Sequence, residues 1–272
     1  MLPELVAGAV ADASERRALR PLKQVEADAV ARPAALDVMA ALAPSDRVKI
    51  IAEVKRASPS RGPLADIADP ASLAVSYQTG GASAISVLTE GRRFLGSLAD
   101  LDAVRAAVDI PVLRKDFIAD PYQVFEARAA GADLVLLIVA ALKQPLLAEL
   151  HDLVSQLGMT ALVETHSADE VERALDVGAS VVGVNARDLS TFELDRELFG
   201  TVADRIPSGV IRVAESAVSE PVDVARYRAA GADVVLVGEA LVTGGDPVAM
   251  LQSFLTASPF RPAGSHVSPV SA

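Results

Sequence analysis

The residues of this sequence that could do chemistry stand directly at the ends of short apolar runs. Residues 50–54 contain Glu53 and lead into Lys55-Arg56-Ala57-Ser58-Pro59-Ser60. Residues 112–113 lead into Arg114-Lys115-Asp116-Phe117, and 161–163 into Glu164-Thr165-His166. Residues 181–184 lead into Asn185-Ala186-Arg187, 211–214 into Glu215-Ser216-Ala217, and 234–237 into Gly238-Glu239-Ala240. Lysine is scarce beside arginine, yet Lys55 and Lys115 both fall at such ends. Arginine stays protonated and is a poor proton donor. A lysine that is desolvated or crowded by cations can release its proton. Lysines and glutamates brought together therefore suit proton transfer. The competing reading is a ring of salt bridges tying the ends of the runs together. Ser216, with a hydroxyl and an amide, and Gly238, which lets backbone approach an anion, point to a phosphate.

For these ends to meet, the runs must lie side by side and point the same way. They are apolar without alternation, as strands covered on both faces are. Four are preceded by a Gly-Ala step: Gly80-Gly81-Ala82, Gly131-Ala132-Asp133, Gly178-Ala179 and Gly231-Ala232-Asp233. Each step closes a helical pattern. Filling the gaps predicts eight strands, at 50–54, 84–88, 112–113, 134–138, 161–163, 181–184, 211–214 and 234–237. Helical patterns lie between them, for example at 121–130, 144–157, 168–177, 221–230 and 246–255. Regular alternation of this kind predicts an α/β fold, a (β/α)8 TIM barrel. An open doubly wound sheet is the alternative topology. In a barrel, the loops after the strands build the active site, and those after the last two strands frequently bind phosphate. Residues 1–45 predict one or two Ala-rich helices capping the barrel. Residues 1–257 read as one domain, and the Pro- and Ser-rich 258–272 as a disordered tail.

Composition narrows the function. The chain has 272 residues, 51% of them hydrophobic and only 4% aromatic. Its net charge of −11 argues against nonspecific binding to nucleic acid or anionic membrane. There is no cysteine, which excludes disulfides and thiolate metal sites. His151, His166 and His266 have no partners at ligand spacing, so no metal is expected. Neither a P-loop nor a GxGxxG turn is present. No signal-type or membrane-length apolar segment occurs, and a soluble cytoplasmic protein is expected.

The motifs resemble those of the indole-3-glycerol phosphate synthase family. The likeness begins with Ile51-Ala52-Glu53-Val54-Lys55-Arg56-Ala57-Ser58-Pro59-Ser60 and continues through Arg93-Phe94-Leu95-Gly96-Ser97 and Val112-Leu113-Arg114-Lys115-Asp116-Phe117. It runs on through Ala161-Leu162-Val163-Glu164, then Gly183-Val184-Asn185-Ala186-Arg187-Asp188-Leu189, Ala214-Glu215-Ser216 and Val237-Gly238-Glu239-Ala240-Leu241. All occur in family order over roughly 35–255, and the composition is reminiscent of actinobacterial members.

The resemblance implies a decarboxylating lyase of tryptophan biosynthesis. It would turn 1-(2-carboxyphenylamino)-1-deoxyribulose 5-phosphate into indole-3-glycerol phosphate, with no cofactor and no obligate protein partner. It implies Lys115 as general acid and Glu164 as partner acid or base in the dehydration. Lys55 would hold the carboxylate and help to deliver protons. Glu53, Asn185 and Glu215 would orient these groups and the sugar hydroxyls. Ser58 and Arg187 would assist at the carboxylate, and Phe94, Phe117 and Leu189 would form a slot for the aromatic ring. Ser216, Ala217, Gly238 and Glu239 would line the phosphate site, the last two through backbone amides.

The family usually has glycine where this chain has Ala217. If that position needs φ > 0, alanine is strained there, and phosphate binding is expected to weaken at most. Arg61 stands where many relatives have lysine, at a position that varies. Two readings compete. Another phosphate-binding barrel, such as phosphoribosylanthranilate isomerase, would use a cysteine that is absent here. A catalytically dead barrel serving as a binding protein would have lost Lys55, Lys115 or Glu164, and all three are present.

Overall fold

Eight parallel strands close into a barrel in this computed structural model, which describes residues 1–189 and 191–257. The strands are β1 (Lys49–Val54), β2 (Ala84–Leu88), β3 (Val112–Lys115), β4 (Leu134–Ile138), β5 (Thr160–Thr165), β6 (Val181–Asn185), β7 (Ile211–Glu215) and β8 (Val234–Val237). Neighbours in sequence are neighbours in the sheet, and β1 closes the ring by pairing with β8, Ile51 opposite Leu236. The segment 258–272, expected to be disordered, and His266 within it lie outside the described residues.

The helices are α1 (Leu2–Leu19), α2 (Leu22–Ala31), α3 (Val38–Leu42), α4 (Pro70–Gly80), α5 (Leu98–Ala107) and α6 (Pro121–Ala129). They continue with α7 (Gln144–Gln156), α8 (Ala168–Asp176), α9 (Leu198–Val202), α10 (Pro221–Ala229), α11 (Glu239–Thr243) and α12 (Pro247–Ala257). The N-terminal region holds three helices rather than one or two, because Pro21 and Pro33 break the Ala-rich run. No described helix is long and apolar enough to cross a membrane.

The repeated Arg-Ala-Ala-Gly-Ala-Asp at 128–133 and 228–233 does the same work twice. Gly131 (φ +88°) and Gly231 (φ +102°) end α6 and α10 in a left-handed turn. The aspartate then enters the next strand: Asp133 N–H donates to Val112 O at 2.8 Å, and Asp233 N–H to Arg212 O at 3.0 Å. The Asp133 carboxylate accepts from the Val112 and Leu36 amides, which anchors the segment leading to α3 at the N-terminal end of the strands. Helix α1 lies at the other end, where Arg92 in the loop after β2 pairs with its Asp12.

Two apolar layers form the core. Outward-facing strand residues such as Ile50, Val87, Val135, Val163 and Val235 pack with the helices. Ile51, Leu113, Leu136, Leu162, Val213 and Leu236 fill the barrel interior, which continues to Leu2, Leu5, Val38 and Leu42. Strand side chains alternate between faces. Two residues beyond each interior hydrophobe therefore lies another interior position: Glu53 after Ile51, Lys115 after Leu113, Glu164 after Leu162, Glu215 after Val213 and Gly238 after Leu236. The apolar interior thus ends in a polar layer at one rim.

Candidate active site

A cavity of about 670 Å³ opens at the C-terminal ends of the strands. Every residue to which the resemblance assigns a role lines it: Glu53, Lys55, Ser58, Phe94, Lys115, Phe117, Glu164, Asn185, Arg187, Leu189, Glu215, Ser216, Ala217, Gly238 and Glu239; of the other polar run-end residues, Arg56, Arg114, Thr165 and His166 do not. Lys115, Glu164, Asn185 and Glu215 are not loop residues. Each belongs to its strand, so ladder hydrogen bonds fix its backbone: Lys115 pairs with Leu88, Glu164 with Ile138 and Gly183, and Asn185 with Glu215.

Lys115 is the hub. Its Nζ donates to Glu164 Oε2 at 2.9 Å and lies 3.2 Å from Glu215 Oε2. Both carboxyl groups are buried, about 1% exposed. Burial opposes charge on Lys115, but Glu164, Glu215 and Glu53 outweigh it and hold the ammonium well above the ordinary lysine range. Desolvation alone suggests a lysine that releases its proton easily. The surrounding carboxylates reverse that sign. Glu164 is driven the other way. Burial raises it, yet Lys115 and His166 prevail and bring it down to about 2. Glu215 is pushed up to about 8 by burial and by the neighbouring Glu164 charge, against the pull of Lys115. The two carboxyls are therefore pushed apart: Lys115 and His166 favour the anion at Glu164, and burial favours a proton on Glu215.

A second pair stands beside this group. Lys55 Nζ lies 2.7 Å from Glu53 Oε1. Two glycines leave room for these carboxylates. A Cβ on Gly238 would fall 2.4 Å from Glu53 Oε1, and one on Gly183 would fall 2.1 Å from Glu215 Oε1. Gly238 was identified from the sequence as a phosphate-side residue. Gly183 was not identified as a site residue, although a glycine inside an apolar strand signals close approach.

The opposite wall is apolar. Phe94 and Phe117 stack with ring centroids 6.1 Å apart at 45°, and Leu189 packs against the same interior cluster. Ser58 lies on a short hairpin that pairs Ala57–Ser58 with Gly62–Pro63 above the mouth. Arg187 donates to Phe192 O at 3.2 Å, which holds it at the rim.

After β7 the chain turns through two left-handed residues, Ser216 (φ +67°) and Ala217 (φ +57°). The glycine-like conformation anticipated at Ala217 is thus present. The turn is braced from the protein side. Ser216 Oγ donates to Asn185 Oδ1 at 2.7 Å, Tyr227 OH to Ser216 O at 3.3 Å, and Arg196 to Ala217 O at 2.9 Å. Among the described residues no protein group accepts from the Ala217 or Val218 amides. The Glu239 carboxylate is held by Arg61, 2.7 Å away. The sequence reading treats Arg61 as a variable loop position, and its partner lies across the mouth at the start of α11. No described cluster of His, Asp and Glu is arranged to hold a metal ion.

The indole-3-glycerol phosphate synthase family matches residues 2–254. A relative of that name from Leifsonia xyli subsp. xyli is 73% identical over 254 residues, 93% of this chain and 97% of the relative. Relatives of the same name from Mycobacteroides abscessus and Mycolicibacterium vanbaalenii are 59% and 60% identical, each alignment covering 94% of both chains. Among solved structures, a thiamine phosphate pyrophosphorylase from Pyrococcus furiosus has a TM-score of 0.58 at 14% identity, covering 77% of this chain and 94% of that one. This likeness concerns the fold alone. With 93% of its length aligned at 73% identity to one relative, and the family pattern matched from residue 2 to residue 254, the chain belongs to the indole-3-glycerol phosphate synthase family.

Proposed function

We propose that this chain closes the indole ring of indole-3-glycerol phosphate from 1-(2-carboxyphenylamino)-1-deoxyribulose 5-phosphate, with Lys115 as the proton donor at the reacting carbonyl. The observation that carries this reading is Lys115 held charged between Glu164 and Glu215 on the wall of the cavity. The cavity is of the size that takes a small sugar phosphate bearing one aromatic ring.

The chemistry makes its demands in order. The ring carbon bearing the carboxylate attacks the C2 carbonyl, a carbon–carbon bond forms, and the carbonyl π pair moves onto oxygen. The Lys115 ammonium neutralises that oxygen and protonates it. A strongly charged lysine suits the task, because the alkoxide is a stronger base and draws the proton only as it forms. Loss of carbon dioxide returns the bonding pair to the ring. Glu215, which carries a proton at neutral pH, reloads Lys115, and Lys115 donates again as the hydroxyl leaves as water. Glu164, an anion across the working pH range, takes the proton from the neighbouring carbon as the indole forms. Two protons go to oxygen and one returns from carbon, and solvent restores the other to Glu215.

The remaining residues place the substrate. Lys55, fixed by Glu53, faces the carboxylate with Ser58 and Arg187. Phe94, Phe117 and Leu189 enclose the ring and exclude water, which favours a reactive pose. Asn185 orients Ser216. The free amides at Ala217 and Val218, together with the backbone of Gly238 and Glu239, receive the phosphate, an acceptor for which backbone donors suffice on an acidic protein.

The test is Lys115→Met. It keeps the length of the side chain and removes the proton, so kcat should fall by about 10²-fold or more with KM little changed. A near-normal kcat removes Lys115 from the mechanism.

A further inference from the structure

Glu164 is gripped from two sides, and the reading above uses only one of them. Its Oε2 accepts from Lys115 at 2.9 Å. Its Oε1 faces His166 Nε2 at 3.5 Å. His166 is the first residue past the end of β5, and its ring turns back over the strand end toward Glu164. Its ring is largely buried, and Nε2 has no hydrogen-bond partner among the described residues. The other nitrogen, Nδ1, lies 3.2 Å from Glu170 Oε2.

Glu170 is built to stay where it is. It is the third residue of α8, and its amide donates to the side chain of Ser167, the residue that caps the helix, at 3.2 Å. Its carboxylate accepts the His166 backbone N–H at 2.7 Å. Both the ring and the backbone of His166 are thus tied to the first turn of one helix. The result is a line of groups, Glu170–His166–Glu164–Lys115, that enters the cavity from the barrel wall.

We infer that His166 is a positioning residue: as an imidazolium bridging Glu170 and Glu164, it fixes the Glu164 carboxylate in the orientation and anionic state that proton abstraction requires. A neutral imidazole has one donor and can serve only one of the two carboxylates, whereas the cation serves both. The surroundings favour the cation. Glu164 faces the ring from β5, Glu170 from α8 and, more weakly because burial favours its proton, Glu215 from β7, while Lys115 contacts the opposite oxygen of Glu164. Burial opposes the charge, but the Glu170 hydrogen bond and these carboxylates hold His166 above its ordinary value. The inference rests on the reading of Glu164 as the base.

Three variants and one spectrum test it. Long-range 1H–15N correlation of the histidine rings, with His151 and His266 identified by substitution, should show both His166 nitrogens protonated near pH about 7. His166→Ala should lower kcat by roughly tenfold and leave KM within about twofold, because a misaligned base impairs the reacting complex rather than binding. Glu170→Gln touches no cavity residue, yet by removing a carboxylate from the imidazolium it should move the loss of kcat at high pH to lower pH. A purely structural His166 would lower stability in both variants and shift no pH profile. Glu164→Gln is measured alongside. If it is slow while the His166 and Glu170 variants keep the wild-type kcat and profile, or if the ring is neutral, the proposal is overturned and the reading of Glu164 stands. If Glu164→Gln is unimpaired, both fall together.

Discussion

Replacing Gly183 by alanine adds one methyl to the barrel interior beside the reacting groups. The new Cβ falls 2.1 Å from Glu215 Oε1 and 3.3 Å from Leu162 Cδ1. Ordinary contact starts at about 3.5 Å, so the Glu215 carboxyl must retreat by roughly 1.4 Å. The Lys115–Glu215 contact runs through the other oxygen of the same carboxyl, Oε2, at 3.2 Å, so turning or withdrawing the group to relieve the clash disturbs it. Overpacking of this kind costs about 1–3 kcal/mol of stability, a few degrees of melting temperature for a chain of this length. The larger effect is on rate. A displacement of roughly 1 Å at a reacting group costs about 10²-fold, so kcat should fall by about that factor, with KM moving far less because the ring slot and phosphate turn are untouched. The assay follows product fluorescence at saturating substrate, with circular dichroism to establish the native fold. Gly209→Ala is the control, since nothing lies within 4 Å of its added Cβ. A folded Gly183→Ala enzyme with kcat within about twofold of wild type refutes the placement of Glu215 in the machinery.

Other outcomes follow from the same geometry. Glu164→Gln should slow dehydration more than carbon–carbon bond formation in single-turnover experiments, and unaltered rates for both steps would sink its role as base. Activity should decline as pH rises through about 8, where Glu215 loses its proton, while Glu164 stays ionised down to about 2 and adds no acid limb near neutrality. A flat alkaline profile would contradict the proton on Glu215. The sign for stability is the same. The folded value of Glu215 lies above its ordinary 4.5, so stability is lost as pH rises from there to about 8, and Glu215→Gln should flatten that loss in thermal melts. Ala217→Gly relieves about 1 kcal/mol of left-handed strain but loosens the unfolded chain by a similar amount. The turn at φ +57° is braced from the protein side by Asn185, Tyr227 and Arg196, so the strain it carries is common to free and bound states and cancels in affinity. KM and the Kd for inorganic phosphate should stay within about twofold, and a clear tightening would show that the turn moves on binding.

What could be read from the sequence, and what could not, divides along physical lines. Strand alternation and the Gly-Ala steps are local, and they place Lys115, Glu164, Asn185 and Glu215 at strand ends. The competing ring of salt bridges is also real: Lys115–Glu164 and Lys55–Glu53 are ion pairs. Here the same pairs hold the charges that the proposed chemistry uses. The sign of the Lys115 shift was hidden because it depends on Glu164 and Glu215, 49 and 100 residues away in the chain. Cross-strand and loop-to-helix partners such as Gly183 with Glu215, or Arg61 with Glu239, have no spacing signature. That the strands extend through Lys115, Glu164, Asn185 and Glu215, beyond the apolar runs, is not legible, because a polar side chain at the end of such a run looks the same whether or not its backbone still belongs to the ladder. Ala217 shows the opposite case. A departure at one position raised the question of a backbone angle, and the left-handed angle is there.

The most direct test of the account is to give the purified protein 1-(2-carboxyphenylamino)-1-deoxyribulose 5-phosphate in metal-free buffer, and to measure indole-3-glycerol phosphate by fluorescence together with released carbon dioxide. The account predicts rapid product formation with one carbon dioxide per indole, and its loss in Lys115→Met. No indole product from folded wild-type protein, or product formed equally well by Lys115→Met, would contradict it.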